Sequence, residues 1–317
     1  MPDVLISENI AGNAVDALAT RFEVIAKPEL WRDPQALAEQ ITCVRALIIR
    51  NQTQITAELL RSAHKLLVVG RAGAGLDNVD VSACTKAGII VTSTPDQNAI
   101  SVAELAIGLM ISMARHIPAA DADTRRGNWN RARFYGTELY GKTFGIVGAG
   151  RIGFLTARRA QALGMEVLAY DPFISRDNVF LAELNARLVS LEDLLAQSDV
   201  VSCHLPSTPQ TVHLLNARSF ARMKPTATFI NTSRGDVVDE AGLLEALRSG
   251  KIAGAALDVR ANEPPIAAEL EKLPNVLLTP HIAALTQEAQ DRVTNAVCDD
   301  IARVLDGMPA LNAVVSF

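Results

Sequence analysis

The chain has 317 residues, 49% of them hydrophobic and 21% charged, with a formal net charge of −5. That length exceeds what one core usually organises, so two lobes are expected, and the acidic balance argues against nucleic acid or an anionic membrane surface as a partner. It does not exclude an anionic substrate, because the charge of a site is local.

In chain order, short β-branched runs alternate with helical patterns. Val4–Ile6, Ala46–Ile49, Leu66–Val69 and Ile89–Val91 read as strands. The apolar stretch from Ser101 to Met113 reads as a long helix, suited to a core or to a subunit interface. Strands then recur at Phe144–Val147, Val167–Tyr170, Val200–Ser202, Thr228–Ile230, Ala255–Leu257 and Val276–Leu278, with helical periodicity at Arg151–Leu163 and Glu240–Ser249. The strands are apolar on both faces, as parallel strands between helix layers are, so the fold class is α/β and doubly wound. Cys43, Cys84, Cys203 and Cys298 form no C-x-x-C and lie at no zinc-ligand spacing from a histidine. No metal site is expected, and the four read as buried thiols in a reducing compartment. The first residues carry no secretory pattern, and the apolar region Leu105–Ala114 is too short to span a bilayer. A cytoplasmic protein is the expectation.

The sharpest local motif is Gly148-Ala149-Gly150-Arg151-Ile152-Gly153, a G-x-G-x-x-G between a strand and a helix. A lone motif of this kind is weak. Here Asp171 closes the next strand, at the separation a dinucleotide site requires. Gly148 allows the tight turn, Gly150 admits the pyrophosphate, and Gly153 lets helix and strand pack closely. The helix N-terminus offers free N–H groups to phosphate. Asp171 suits the ribose hydroxyls and repels a 2′-phosphate, which favours NAD over NADP; the nearest arginine downstream is Arg176.

Ligands of doubly wound sheets bind beyond the carboxyl ends of strands. Three such ends carry polar residues: Asn231 to Gly235, Asp258 with Glu263, and Pro280-His281. Hydride transfer at a 2-hydroxy acid needs a cation for the carboxylate and keto oxygen, an acid/base for the alkoxide, and a carboxylate to orient that acid/base. Arg234, His281 and Glu263 can fill these roles in that order. His64, His116, His204 and His213 read as structural, with His204 near the cofactor pocket.

These residues resemble the D-isomer-specific 2-hydroxyacid dehydrogenase family, closest to its 3-phosphoglycerate dehydrogenase branch. The resemblance runs through Val69 to Asn78, Asn98 to Glu104, Gly136 to Leu139, the glycine motif, Asn231 to Gly235, Gly254 to Val259, Glu263-Pro264 and Thr279 to His281. It implies a Rossmann NAD domain, residues 98–285, inserted in a flavodoxin-like substrate domain, residues 1–97 and 286–317, with the active site between them. It also implies a homodimer through the NAD domains. Arg234, Glu263 and His281 would be catalytic. Arg151, Ile152, His204, Pro206, Thr211, Thr232, Ser233 and Ala283 would line the NAD groove with the glycines, and Asp258 would meet the nicotinamide carboxamide. Ala74 and Gly75 would offer backbone N–H groups to the substrate carboxylate, and Arg50, Arg71 and Arg131 would meet a distal phosphate. The expected substrate is a small anionic D-2-hydroxy or 2-keto acid resembling 3-phosphoglycerate. Glyoxylate or hydroxypyruvate reduction, a sulfolactate-type dehydrogenase and, remotely, an NAD-sensing corepressor remain open. Arg260-Ala261-Asn262 and Asp236 depart from the family pattern.

Overall fold

The computed structural model describes residues 2–175, 177–265 and 269–314. They divide into two units, Met1–Asn98 with Leu285–Phe317, and Ala99–Ala284. In the first, β1 (Val4–Ile6), β2 (Val24–Ala26), β3 (Ala46–Ile49), β4 (Val68–Arg71) and β5 (Ile90–Thr92) form a parallel sheet in the order β2-β1-β3-β4-β5. The helices α1 (Asn13–Ala19), α2 (Pro34–Ile41), α3 (Ala57–Leu60) and α4 (Val81–Lys86) alternate with these strands. Every side chain of β1 and β3 is buried, which is why both read as uninterrupted apolar runs. Side-chain caps start the helices: Asp33 accepts from the N–H of Ala36, with Pro34 in the first turn, and Asp80 accepts from that of Ala83.

The second unit holds β6 (Thr143–Val147), β7 (Glu166–Tyr170), β8 (Arg187–Leu188), β9 (Val200–Cys203), β10 (Thr228–Asn231), β11 (Gly254–Leu257) and β12 (Val276–Leu278). Their order is β12-β11-β10-β9-β6-β7-β8, all parallel. The chain winds outward from β6 to β7 and β8, then returns to the other side of β6 as β9. The order therefore reverses between β6 and β9, and the carboxyl ends there form the crevice where such sheets bind ligands. Around the sheet lie α5 (Ala99–Ala114), α6 (Ile117–Arg125), α7 (Arg151–Ala162), α8 (Val179–Glu183), α9 (Leu191–Gln197), α10 (Ala217–Arg222) and α11 (Glu240–Arg248). The core is close-packed, with Phe144, Phe220 and Phe229 fully buried and the last two meeting edge to face at 5.4 Å. The last helix, α12 (Gln287–Leu305), returns to the first unit and packs on α1, β3 and β4.

Some expectations need correction. The strand expected at Leu66–Val69 runs from Val68 to Arg71, so Leu67 is exposed and Arg71 sits at the carboxyl end. The edge strands β2 and β8, three and two residues long, are too short to show a period. Cys43 is exposed, because it follows α2 in the turn before β3, whereas Cys84, Cys203 and Cys298 are buried. Among the described residues no single helix is long and apolar enough to cross a membrane.

Candidate active site

The glycine turn leaves β6 and opens α7. Gly148 has φ 96, a left-handed conformation that disfavours a side chain, and a Cβ there would lie 2.9 Å from the backbone of His204. A Cβ on Gly153 would lie 2.1 Å from the Gly148 carbonyl oxygen, so only glycine lets the helix sit this close to the turn. Space is open beside Gly150, the N-cap of α7, which offers no capping side chain. Arg151 and Ile152 begin the helix. The first-turn N–H groups thus face a groove free of side chains, which suits a pyrophosphate. Asp171 follows β7; one carboxylate oxygen accepts from the N–H of Ala149 at 3.0 Å and the other from that of Phe173 at 2.9 Å. It braces the turn while keeping lone pairs on both oxygens for a ribose. Arg176 lies outside the described residues.

On the far side of the turn, His204 follows β9 and its Nε2 meets the Ser202 hydroxyl at 2.9 Å. The residue is only half-buried, yet its Nδ1 is sealed from solvent without a partner. Burial pushes the imidazole down to about 4, so the ring is neutral. The Thr232 hydroxyl is likewise buried without a partner, an acceptor or donor left over for a ligand. Thr211 folds the loop after Pro206 by donating to the Pro206 carbonyl at 2.7 Å. These unspent polar groups and the glycine cradle fit a dinucleotide.

The turns after β10, β11 and β12 carry Arg234, Glu263 and His281, the three side chains expected to be catalytic. Asn231, buried at the end of β10, accepts from the Ser233 N–H at 3.0 Å and donates to the Arg234 carbonyl at 2.9 Å, which shapes the turn presenting Arg234. Asp258 follows β11 and is 1% exposed. One of its oxygens accepts from the Thr279 hydroxyl at 2.6 Å and the Ile282 N–H at 2.9 Å, and the other accepts from the Ala283 N–H at 2.9 Å. Expected as a nicotinamide contact, Asp258 is in this structure the bracket that holds the loop after β12. That loop carries His281 at φ 54, and the His281 N–H donates to the Asp258 carbonyl at 2.8 Å. A histidine kept in the left-handed region is strained unless its surroundings over-determine it, and here they do.

The His281 Nδ1 lies 2.6 Å from a Glu263 carboxylate oxygen. The other Glu263 oxygen accepts from the Arg260 N–H at 2.9 Å. Burial opposes the charge on Glu263, but these hydrogen bonds and the nearby charges of His281 and Arg234 hold its carboxyl below its ordinary value. The structure therefore brings Arg234, Glu263 and His281 together, although they lie on three separate loops. The His281 side chain is 42% exposed.

In the first unit, Arg50 follows β3 and Arg71 ends the adjacent β4. The Arg50 guanidinium donates to Gln290 of α12 at 2.5 Å, and its backbone N–H donates to buried Glu8 at 2.8 Å. Burial lowers the pKa of Arg50 and Glu8 opposes the shift. Ala74 and Gly75 lie in the half-buried turn after β4. Arg131 is exposed in a 3-10 turn of the second unit. Sequence reading missed Glu8, Asn231 as an organiser, and Arg260 with Glu240. Only the polar residues directly after β1 and within β10 hinted at the first two.

The family model described as D-isomer specific 2-hydroxyacid dehydrogenase, NAD binding domain, matches residues 107–283. A D-3-phosphoglycerate dehydrogenase of Archaeoglobus fulgidus is 44% identical over 313 residues, covering 98% of this chain and 59% of the relative. The chain spans about three fifths of the length of the curated relatives it matches. A crystal structure of a protein from Thermus thermophilus superposes with a TM-score of 0.92 at 36% identity, over 99% of this chain and 100% of the other. A glyoxylate reductase from Paecilomyes thermophila does so with a TM-score of 0.88 at 32% identity, over 99% of each chain. The chain belongs to the D-isomer specific 2-hydroxyacid dehydrogenase family and carries its NAD-binding domain.

Proposed function

We propose that this chain is an NAD-dependent oxidoreductase acting at C2 of a small anionic D-2-hydroxy acid or 2-keto acid, with 3-phosphoglycerate as the preferred substrate. The observation that carries the reading is the 2.6 Å contact between His281 Nδ1 and Glu263, on a carboxylate that also feels Arg234. Arg234 grips the substrate carboxylate and polarises the C2 oxygen. Glu263 accepts a hydrogen bond from Nδ1–H, which fixes the tautomer and leaves Nε2 of His281 to take the hydroxyl proton in oxidation and return it in reduction. The glycine turn and Asp171 would hold NAD, which would supply the hydride acceptor, and Asp171 would disfavour NADP by repelling a 2′-phosphate. The N–H groups of Ala74 and Gly75 hold the substrate carboxylate, while Arg50, Arg71 and Arg131 meet the distal phosphate. In support, Arg50 and Arg71 sit at neighbouring strand ends, where Ile49 pairs with Arg71. The relatives named D-3-phosphoglycerate dehydrogenase also point this way.

The likeness to a glyoxylate reductase favours a second reading, in which no distal anion is needed. NADH formation over a panel of D-2-hydroxy acids separates them. The first reading expects kcat/KM for 3-phosphoglycerate to exceed that for D-lactate by about 10²-fold, and Arg50→Glu to abolish the preference. Equal values for the two acids reject the distal anion. We also place a homodimer on the second unit, supported by exposed Ile100 and Ile117 on α5 and α6 and by exposed Trp129, Tyr135 and Tyr140 beyond them. Light scattering at the monomer mass rejects it. The unpaired buried thiols support a reducing, cytoplasmic setting.

A further inference from the structure

We infer that Arg260 is a positioning residue of this site: its ion pairs with Glu240 and Glu271 fix the backbone that orients Glu263 toward His281. The inference rests on the reading of Glu263 and His281 as the acid/base pair. Arg260 is two residues past Asp258, and its own N–H is the second ligand of the Glu263 carboxylate, at 2.9 Å. Its side chain is 10% exposed and runs away from Glu263 to α11. There Nε and Nη2 grip the two oxygens of Glu240 at 2.9 and 3.1 Å, and Nη1 meets Glu271. The same Glu240 accepts from the N–H of Ala261 at 2.8 Å. One carboxylate thus holds both the side chain of Arg260 and the peptide that follows it.

That peptide also rests against Gly235, where a Cβ would fall 2.0 Å from the carbonyl of Arg260 and 2.4 Å from the N–H nitrogen of Ala261. Gly235 directly follows Arg234. The Arg260–Ala261 peptide is therefore wedged between the turn that presents Arg234 and the carboxylate of Glu240, and the peptide just before it carries the Arg260 N–H that Glu263 accepts. It cannot shift without disturbing that turn or the N–H that holds Glu263. A planar guanidinium can hold Glu240 with two parallel bonds and still reach Glu271; an ammonium cannot do both in fixed directions. Hydride transfer is sensitive to such placement, since a displacement near 1 Å costs about 10²-fold in rate.

The test compares wild type with Arg260→Gln, Arg260→Lys and Glu240→Gln. It reads three quantities: kcat and KM for 3-phosphoglycerate oxidation, the Kd for NAD, and the downfield proton resonance of the His281 Nδ1–H. We expect Arg260→Gln to lower kcat by about 10- to 100-fold, to leave the NAD Kd within about twofold, and to broaden away the resonance. Arg260→Lys should recover part of the rate. Wild-type kcat and resonance in a folded Arg260→Gln protein overturn the inference, and so does absence of the resonance from wild type. If Arg260→Gln does not fold, Glu240→Gln decides: reduced kcat with loss of the resonance supports the inference, and wild-type values overturn it. If wild type oxidises no D-2-hydroxy acid with NAD, the proposed function falls instead. The resonance alone then decides for Arg260, its loss in Arg260→Gln supporting the role and its persistence refuting it.

Discussion

The glycine turn at residues 148–153 and the loops at 258–263 and 279–283 sit at carboxyl ends of one sheet, yet they are built from different materials. The turn works by subtraction. Its groove exists because Gly150 has no side chain to fill it and because Gly153 lets α7 pack against the Gly148 carbonyl. The loops work by saturation. The oxygens of Asp258 receive Thr279, Ile282 and Ala283, and those of Glu263 receive Arg260 and His281. A site made by omission tolerates little added volume, whereas one made by saturated carboxylates tolerates no lost acceptor.

The two regions should therefore fail separately. The largest effect is expected on the saturated side. His281→Ala should lower kcat by about 10²- to 10⁴-fold while the NAD Kd, measured by quenching of protein fluorescence, stays unchanged. A matching loss of NAD affinity would erase the distinction between the regions. Next comes acid stability at the floor of the turn. Burial pushes the His204 imidazole down to about 4 in the fold, against 6.5 in a free side chain. The unfolded chain binds the proton first as pH falls, so this contribution is whole above pH 6.5 and declines toward pH 4. Urea melts should show a variant His204→Gln losing about 2–3 kcal/mol less than wild type between about pH 7 and 4. Parallel losses in both proteins would show that the ring is not sealed. Glu263 behaves in the opposite chemical sense with the same slope: its carboxylate favours the fold above its ordinary value of 4.5, and that support fades as pH falls through its lowered one.

Gly153→Ala tests the side made by omission. The added methyl must displace the Gly148 carbonyl, so NAD affinity should fall by about 10- to 100-fold, an overpacking cost of about 1–3 kcal/mol. Substrate KM at saturating NAD should move little; a kcat collapse without weaker NAD binding would contradict the picture. The smallest effect belongs to Asp171→Asn. Removing the charge should reduce the NAD over NADP preference by about tenfold, as seen in the ratio of kcat/KM values, because only one repulsion is lifted. An unchanged ratio would leave Asp171 as a brace for Ala149 alone.

This contrast also explains what the sequence makes legible. The central strands of both sheets stand out because they are buried on both faces and so carry unbroken apolar runs, whereas the short edges β2 and β8 do not. The glycine turn stands out because its physics is local: a turn, a close approach and a helix start, all within a few residues. Arg234, Glu263 and His281 can be nominated from chemistry and from strand ends, but no spacing in the chain states that Nδ1 of His281 meets Glu263. Arg260 shows only as a departure from the family pattern. Its partners Glu240 and Glu271 belong to other elements, and a guanidinium in a loop reads as a surface charge until tertiary structure supplies both carboxylates. The bracketing role of Asp258 is hidden for the same reason, since its three donors arrive on the loop after a different strand.

The left-handed backbone at His281 has an implication for anyone selecting variants of this protein. Glycine or asparagine would rest more comfortably at that position, by about 1 kcal/mol. Either replacement would also strip Glu263 of its 2.6 Å partner, so the relief of the backbone is offset by a carboxylate that has lost a donor. A library sorted for heat resistance alone should therefore hold histidine only weakly at 281, whereas one sorted for turnover should hold it strictly.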